Sequence, residues 1–353
     1  MGTTYVEREF NKNLGLVMTL RCPITCPHCF LDAGPSRKEE VNLQDAHNWI
    51  RQAALYRNGF IRGLSLTGGE PFFVMEKLAD LVNFATSLGF ETTVTTNAFW
   101  AVTREKALEV LESLPLKMLG ISTDTHHQRF LPFSYIENAV YAAEECGIAY
   151  NIIVAAEDMD SPECRKVVED VTKITDYENI EITTLFPIGR AKQLQIKKSY
   201  LSTPPEIPCL FATTPFIFPD GKVTACIGPL ATLAHNHPLI LGSLRENTLE
   251  EILEASEENL VLQALRLWGP GKLCSILAKR GRKDLVPERF KENDICDACY
   301  SLFENEEVVK EMVNLDGLRE EIAFARAFYT GEVGMVEKLL GKKIMIKFVT
   351  KAK

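Results

Sequence analysis

Over its first two hundred residues the chain alternates short apolar runs with amphipathic ones, and that alternation restricts it to a parallel α/β architecture. Strand-like runs fall at 14–20, 63–66, 91–96, 117–123, 150–155 and 180–186. Between them the helical period predicts helices at 43–57, closed by Gly59, and at 75–88, with Leu78, Leu81, Val82 and Ala85 on one face and Gly89 at the end. A third helix runs over 104–114 behind Thr103. A fourth starts at a Ser134/Glu137 capping box and ends before Gly147, and a fifth starts at Ser161-Pro162. In such folds the chemistry sits at the carboxyl ends of the strands.

Three cysteines follow the first strand-like run: Cys22, Cys26 and Cys29, in the run RCPITCPHCF. Pro23 and Pro27 keep this stretch from closing into a helix. Three thiolates can hold three irons of a [4Fe–4S] cluster and leave the fourth iron open to a reactant. On spacing alone, a partial zinc knuckle or three buried thiols also fit. After the second strand-like run comes Gly68-Gly69-Glu70-Pro71, 39 residues beyond Cys29 counted to Gly68. The two glycines allow close approach of backbone to a ligand, and Glu70 can accept a charge-assisted hydrogen bond from an ammonium group.

With these two motifs the chain resembles the radical S-adenosylmethionine enzymes. The resemblance implies a partial (β/α)6 TIM-like barrel, with the cysteine loop after the first strand. It implies a [4Fe–4S] cluster held by Cys22, Cys26 and Cys29, with S-adenosyl-L-methionine chelating the open iron. One electron from the cluster then releases a 5′-deoxyadenosyl radical, which abstracts hydrogen from substrate. By the same resemblance His28 stands beside adenine, Gly68, Gly69 and Glu70 bind the methionine amine, and Asn97, Ser122, Asp124, Ile153 and Arg190 contact the rest of the cofactor. The segment 153–157 lacks the glycines that some family members carry there. His126 and His127 follow the fourth strand-like run and are expected to face substrate as catalytic candidates. Being adjacent, their side chains diverge, so neither is expected to be a metal ligand.

A Pro-rich stretch at 200–208 marks a boundary. Beyond it, Cys209 and Cys226 flank a hairpin-like segment at 215–224, and Cys296-x2-Cys299 follows 70 residues after Cys226. This resembles the twitch form of the SPASM extension, which implies an auxiliary [4Fe–4S] cluster on Cys209, Cys226, Cys296 and Cys299. The same four cysteines could hold zinc. Cys146, Cys164 and Cys274 sit in helical patterns and read as core thiols. The expected division is therefore 10–200 for the barrel, 205–305 for a small β-hairpin/helical auxiliary-cluster domain, and 306–353 for a C-terminal helical segment. Helices are expected at 248–267, 306–329 and 333–340, then an alternating run at 343–348.

The ten cysteines come without a secretion signal, which favours metal binding in a reducing cytoplasm over a disulfide scaffold. No apolar stretch approaches the ~20 residues of a membrane span. A net charge of −9 disfavours nucleic acid as partner. The resemblance implies an oxidoreductase that modifies a peptide or protein side chain by crosslinking, thioether formation or dehydrogenation. Only 21 residues precede Cys22, so a separate leader-recognition protein is expected, or a small metabolite as substrate instead. An electron donor such as flavodoxin or ferredoxin is implied. An iron–sulfur electron carrier or a zinc scaffold is the rival outside enzymes.

Overall fold

The computed structural model describes residues 11–194, 199–292, 294–312 and 315–329, with 316 and 327–329 by backbone alone. Six strands and five helices alternate at the start. These are β1 (Asn13–Thr19), α1 (Leu43–Leu55), β2 (Gly63–Gly68), α2 (Met75–Ser87), β3 (Glu91–Thr96), α3 (Arg104–Glu112), β4 (Met118–Ser122), α4 (Phe133–Glu145), β5 (Ala149–Ala156), α5 (Pro162–Val171) and β6 (Ile180–Thr184). The strands lie side by side in chain order, every neighbouring pair parallel. Each βα step thus returns the chain to the same edge, and all six strands point their carboxyl ends the same way.

The helices form where the apolar period predicts. In α2 the buried residues are Leu78, Leu81, Val82 and Ala85, one stripe facing the sheet. Asn42, Thr103 and Ser161 cap α1, α3 and α5 through their side chains. The predicted Ser134/Glu137 capping box is absent. Pro132 holds the extended backbone before α4, so the helix starts at Phe133 and both residues lie inside it. One core unites the sheet with α1 to α5. Each wholly buried residue of the size of Leu64, Leu66 or Leu119 adds about 1.5–3 kcal/mol.

The remaining elements are β7 (Tyr200–Leu201), β8 (Phe216–Ile217), β9 (Lys222–Thr224), β10 (Ile240–Ser243), α6 (Leu249–Glu257), α7 (Leu260–Trp268), α8 (Pro270–Lys279), β11 (Phe290–Lys291), α9 (Ile295–Phe303), α10 (Glu306–Glu311) and α11 (Arg319–Tyr329). The hairpin at 215–224 adds to the large sheet. β8 runs parallel to β1, giving the order β10-β9-β8-β1-β2-β3-β4-β5-β6. The helix expected at 248–267 is two helices, because Asn259 accepts the Leu262 N–H and starts a new one. The helix expected at 306–329 is likewise α10 and α11 with a 3-10 turn at 316–318 before the second. The predicted helix at 333–340 and the run at 343–348 lie outside the described residues.

A second core gathers α7, α8, α9 and α11. Between the two cores lies a buried ionic group. Glu257 sits 2.8 Å from Arg326 and 3.5 Å from Arg266, and accepts from Asn11 Nδ2 at 2.6 Å. Among the described residues, no helix is long and apolar enough to cross a membrane.

Candidate active site

The loop leaving β1 doubles back on itself. Cys22 donates its N–H to Gly34 O at 3.2 Å, and Gly34 returns one to Leu20 O at 3.1 Å. Between these bonds Cys22 and Cys26 are buried and Cys29 is half-buried. All three border a cavity of about 370 Å³. Opposite them, the ends of β2 to β6 supply the wall through Gly68, Gly69, Asn97, Ser122, Asp124, Ile153 and Thr184. His28, His127 and Arg190 complete the predicted residues found there. Glycine is obligatory at the β2 end. A Cβ at Gly68 would lie 2.2 Å from Thr19 O, and one at Gly69 would lie 2.1 Å from Arg21 O.

Two predicted site residues do not line the cavity. Glu70 does not border the cavity and is wholly buried. Its carboxylate accepts from Phe72 N at 3.1 Å, Thr96 Oγ1 at 2.8 Å and Asn97 N at 2.7 Å. It therefore binds the β2 end to the β3 end, and burial raises its pKa to about 7 against those bonds. His126 is buried and does not border the cavity, because the turn after β4 directs its Nε2 to Glu157 Oε1 at 3.3 Å. His127 is the histidine that faces inward.

Asp124 organises that side of the cavity. Its Oδ1 accepts from His126 N at 2.8 Å and His127 N at 3.0 Å. Its Oδ2 accepts from His127 Nδ1 at 2.7 Å and lies 3.4 Å from His28 Nε2. Burial opposes ionisation of Asp124, but the His127 charge and hydrogen bond outweigh it and hold the carboxyl well below the usual range. Burial likewise opposes the charge on His127, yet Asp124, with help from Cys26, raises it to about 10. Burial lowers His28 to about 4. Among the described residues, His28, Asp124 and His127 are the group of three that could share one ion, all within 4.8 Å. The place of His127 in this group runs against the expectation that neither adjacent histidine is a metal ligand.

The three thiols suit a cluster. Burial pushes Cys22 up to about 12, so its thiolate needs a positive partner. Asn97 Nδ2 donates to Cys22 Sγ at 3.6 Å and Ala33 N to Cys29 Sγ at 3.4 Å, bonds that stabilise charge on sulfur.

Residues 16–155 match the Radical SAM superfamily. The radical SAM match thus spans the cysteine loop, the Gly68–Glu70 turn and the Ser122–Asp124 end of β4. "Putative peptide biosynthesis protein YydG" of Bacillus subtilis (strain 168) is 24% identical over 309 residues, which is 85% of this chain and 94% of that protein. Two solved structures of BtrN, each 12% identical with a TM-score of 0.41, are also similar. The open conformation covers 73% of this chain and 86% of its own, and the complex with AdoMet and 2-DOIA covers 75% and 90%.

The second set of cysteines lies outside the radical SAM match, at 209–299. Cys209 donates its N–H to Leu265 O at 2.9 Å, Cys226 follows β9, and Cys296 and Cys299 stand one turn apart on α9. The fold brings them together. Burial raises Cys299 first, and the charges of Cys209, Cys226 and Cys296 each add to it. Ile227, next to Cys226, borders the same cavity as Cys22. Sequence reasoning missed Ile227, whose position depends on β8 pairing with β1. It also missed Thr183, Leu185 and Phe186, which the rule of strand carboxyl ends could have found.

Proposed function

We propose that this chain is a radical S-adenosylmethionine enzyme that oxidatively modifies a peptide or protein side chain. The observation that carries the reading is convergence: three cysteines, two obligatory glycines and the polar ends of β3, β4 and β6 meet at one cavity. The peptide substrate is supported by the name of the 24% identical relative. Cys22, Cys26 and Cys29 hold the [4Fe–4S] cluster. When bound, that cluster and S-adenosylmethionine supply the electron and the hydrogen-abstracting radical.

The protein's own part is placement. Gly68 and Gly69 bring backbone to the cofactor amine. Ser122 and Asp124 present oxygens where a ribose would need acceptors, with His127 fixing Asp124 in its ionised form. The apolar wall of Ile153, Leu185 and Phe186 keeps water from the reacting atoms.

Cys209, Cys226, Cys296 and Cys299 hold an auxiliary [4Fe–4S] cluster in this reading, and a flavodoxin- or ferredoxin-type donor supplies electrons. Hydrogen abstraction leaves a substrate radical. Oxidation of that radical to a closed-shell product requires an acceptor for one electron, a role this reading gives to the second cysteine set, whose neighbour Ile227 borders the same cavity. The test is anaerobic reconstitution followed by an iron count and a 5′-deoxyadenosine assay. About eight irons per chain are expected from two cubane clusters. Four irons, or zinc at the second set, would remove the auxiliary cluster from the reading.

A further inference from the structure

Among the described residues, no strand closes the sheet between β6 and β1. On the side of the cysteines a turn spans that gap. Beyond β6 the chain passes through Gly189 and Arg190, and Arg190 makes four contacts with the loop that follows β1. Its N–H donates to Cys29 O at 3.2 Å. Its Nε donates to Cys26 O at 2.9 Å, and its Nη2 to Ala33 O at 2.7 Å. Its Nη1 pairs with Asp32 Oδ1 at 2.8 Å. Three backbone carbonyls of one irregular loop therefore converge on one residue.

Gly189 makes this approach possible. Its φ is +57°, and a Cβ there would lie 2.5 Å from Phe30 O and 2.7 Å from Cys29 O. Any other residue would push the turn off the loop. Phe30, Leu31 and Arg190 also form the partition between the inner cavity and an outer cleft of about 690 Å³. The guanidinium is occupied by the loop on both sides of Cys29.

We propose that Gly189–Arg190 is a latch that holds residues 26–33 in the shape needed to present Cys26 and Cys29, before any cluster is bound. In this proposal Arg190 acts as a positioning residue. The planar fork of arginine fits this task, because one side chain must meet two carbonyls and a carboxylate in fixed directions. What the loop is held ready for rests on the cluster assignment above; the latch itself does not.

The experiment uses the full chain without iron, under anaerobic conditions. Iodoacetamide alkylation is followed cysteine by cysteine, with Cys164, buried in α5, reporting general loosening. Arg190→Ala should speed alkylation of Cys26 and Cys29 about tenfold or more, with Cys164 unchanged, because local opening becomes easier. Gly189→Ala should do the same. Arg190→Lys, which keeps the charge but not the fork, should fall between. Asp32→Asn, which leaves every carbonyl contact in place, should match wild type. After reconstitution, Arg190→Ala should lose first-site iron faster on dilution, read by the electron paramagnetic signal of the reduced cluster. Unchanged alkylation and iron retention in Arg190→Ala would overturn the latch, as would an equal rise at Cys164 in both Arg190 variants. A wild-type protein that binds iron but never cleaves S-adenosylmethionine would overturn the proposed function while leaving the thiol result intact.

Discussion

Thr184 Oγ1, at the end of β6, donates to Asp294 Oδ2, at the start of α9, across 3.3 Å. This contact ties the strand that borders the first cysteine site to the helix that carries Cys296 and Cys299. Asp294 also caps α9 through the Asp297 N–H and pairs with Lys291 Nζ at 3.0 Å, both residues of the pair being buried. Lys291 in turn donates to Leu185 O at 3.2 Å, on the wall of the cavity.

Replacing Asp294 with alanine should therefore cost about 3–5 kcal/mol, the usual result of removing one member of a buried ion pair. Asp294→Asn keeps the helix cap and should cost less. Urea midpoints of the iron-free protein check this. Equal midpoints for wild type and Asp294→Ala would mean that α9 is held by packing alone.

Glu257→Ala should be similarly costly, about 3–5 kcal/mol, because its carboxylate lies between the buried guanidinium groups of Arg266 and Arg326. The loss should appear as a lower urea midpoint at unchanged slope. Little change in midpoint would show that the two arginines find other compensation.

Glu70 gives a pH signature. Burial raises its folded-state pKa from 4.5 to about 7, so the folded protein binds the proton more tightly than the unfolded chain. Its contribution to stability is therefore full below pH 4.5 and lost as pH rises through about 7. Glu70→Gln cannot titrate, so wild type should lose more stability than the variant between pH 5 and pH 8. Parallel stability curves for the two would refute the buried, ionisable clamp.

The two cysteine sets should separate functionally. Cys296→Ala with Cys299→Ala should leave 5′-deoxyadenosine formation intact and abolish product if, as proposed, the second site takes the electron after hydrogen abstraction. Full product from this variant would reduce the second site to a structural clamp. Loss of 5′-deoxyadenosine with the first cluster intact would show that the sites are coupled before cleavage.

The six parallel strands were readable because each is a short apolar run bounded by a turn or a capped helix. Thr103 and Ser161 mark helix starts by chemistry that acts locally. Asp124, Ser122 and Asn97 were readable because a parallel sheet gathers its strand ends on one side. What escaped was settled at long range. Glu70 looks like an exposed turn acid until the β3 end is packed over it. The bonds from Arg190 to the loop after β1 could not be read from the sequence, because they form only when that loop is folded against it. His126 and His127 are chemically alike in the sequence, and the turn after β4 alone decides which one faces the cavity. The hairpin at 215–224 was legible as a hairpin, but its pairing with β1 depends on residues two hundred positions away.

The central claim is that Cys22, Cys26 and Cys29 support reductive cleavage of S-adenosylmethionine. The direct measurement is 5′-deoxyadenosine released by the anaerobically reconstituted, dithionite-reduced protein, beside the Cys22→Ala/Cys26→Ala/Cys29→Ala variant carrying an intact second site. The account predicts 5′-deoxyadenosine from wild type, none from the variant, and about four irons retained by the variant. A variant that still releases 5′-deoxyadenosine, or a fully loaded wild type that releases none, would contradict it.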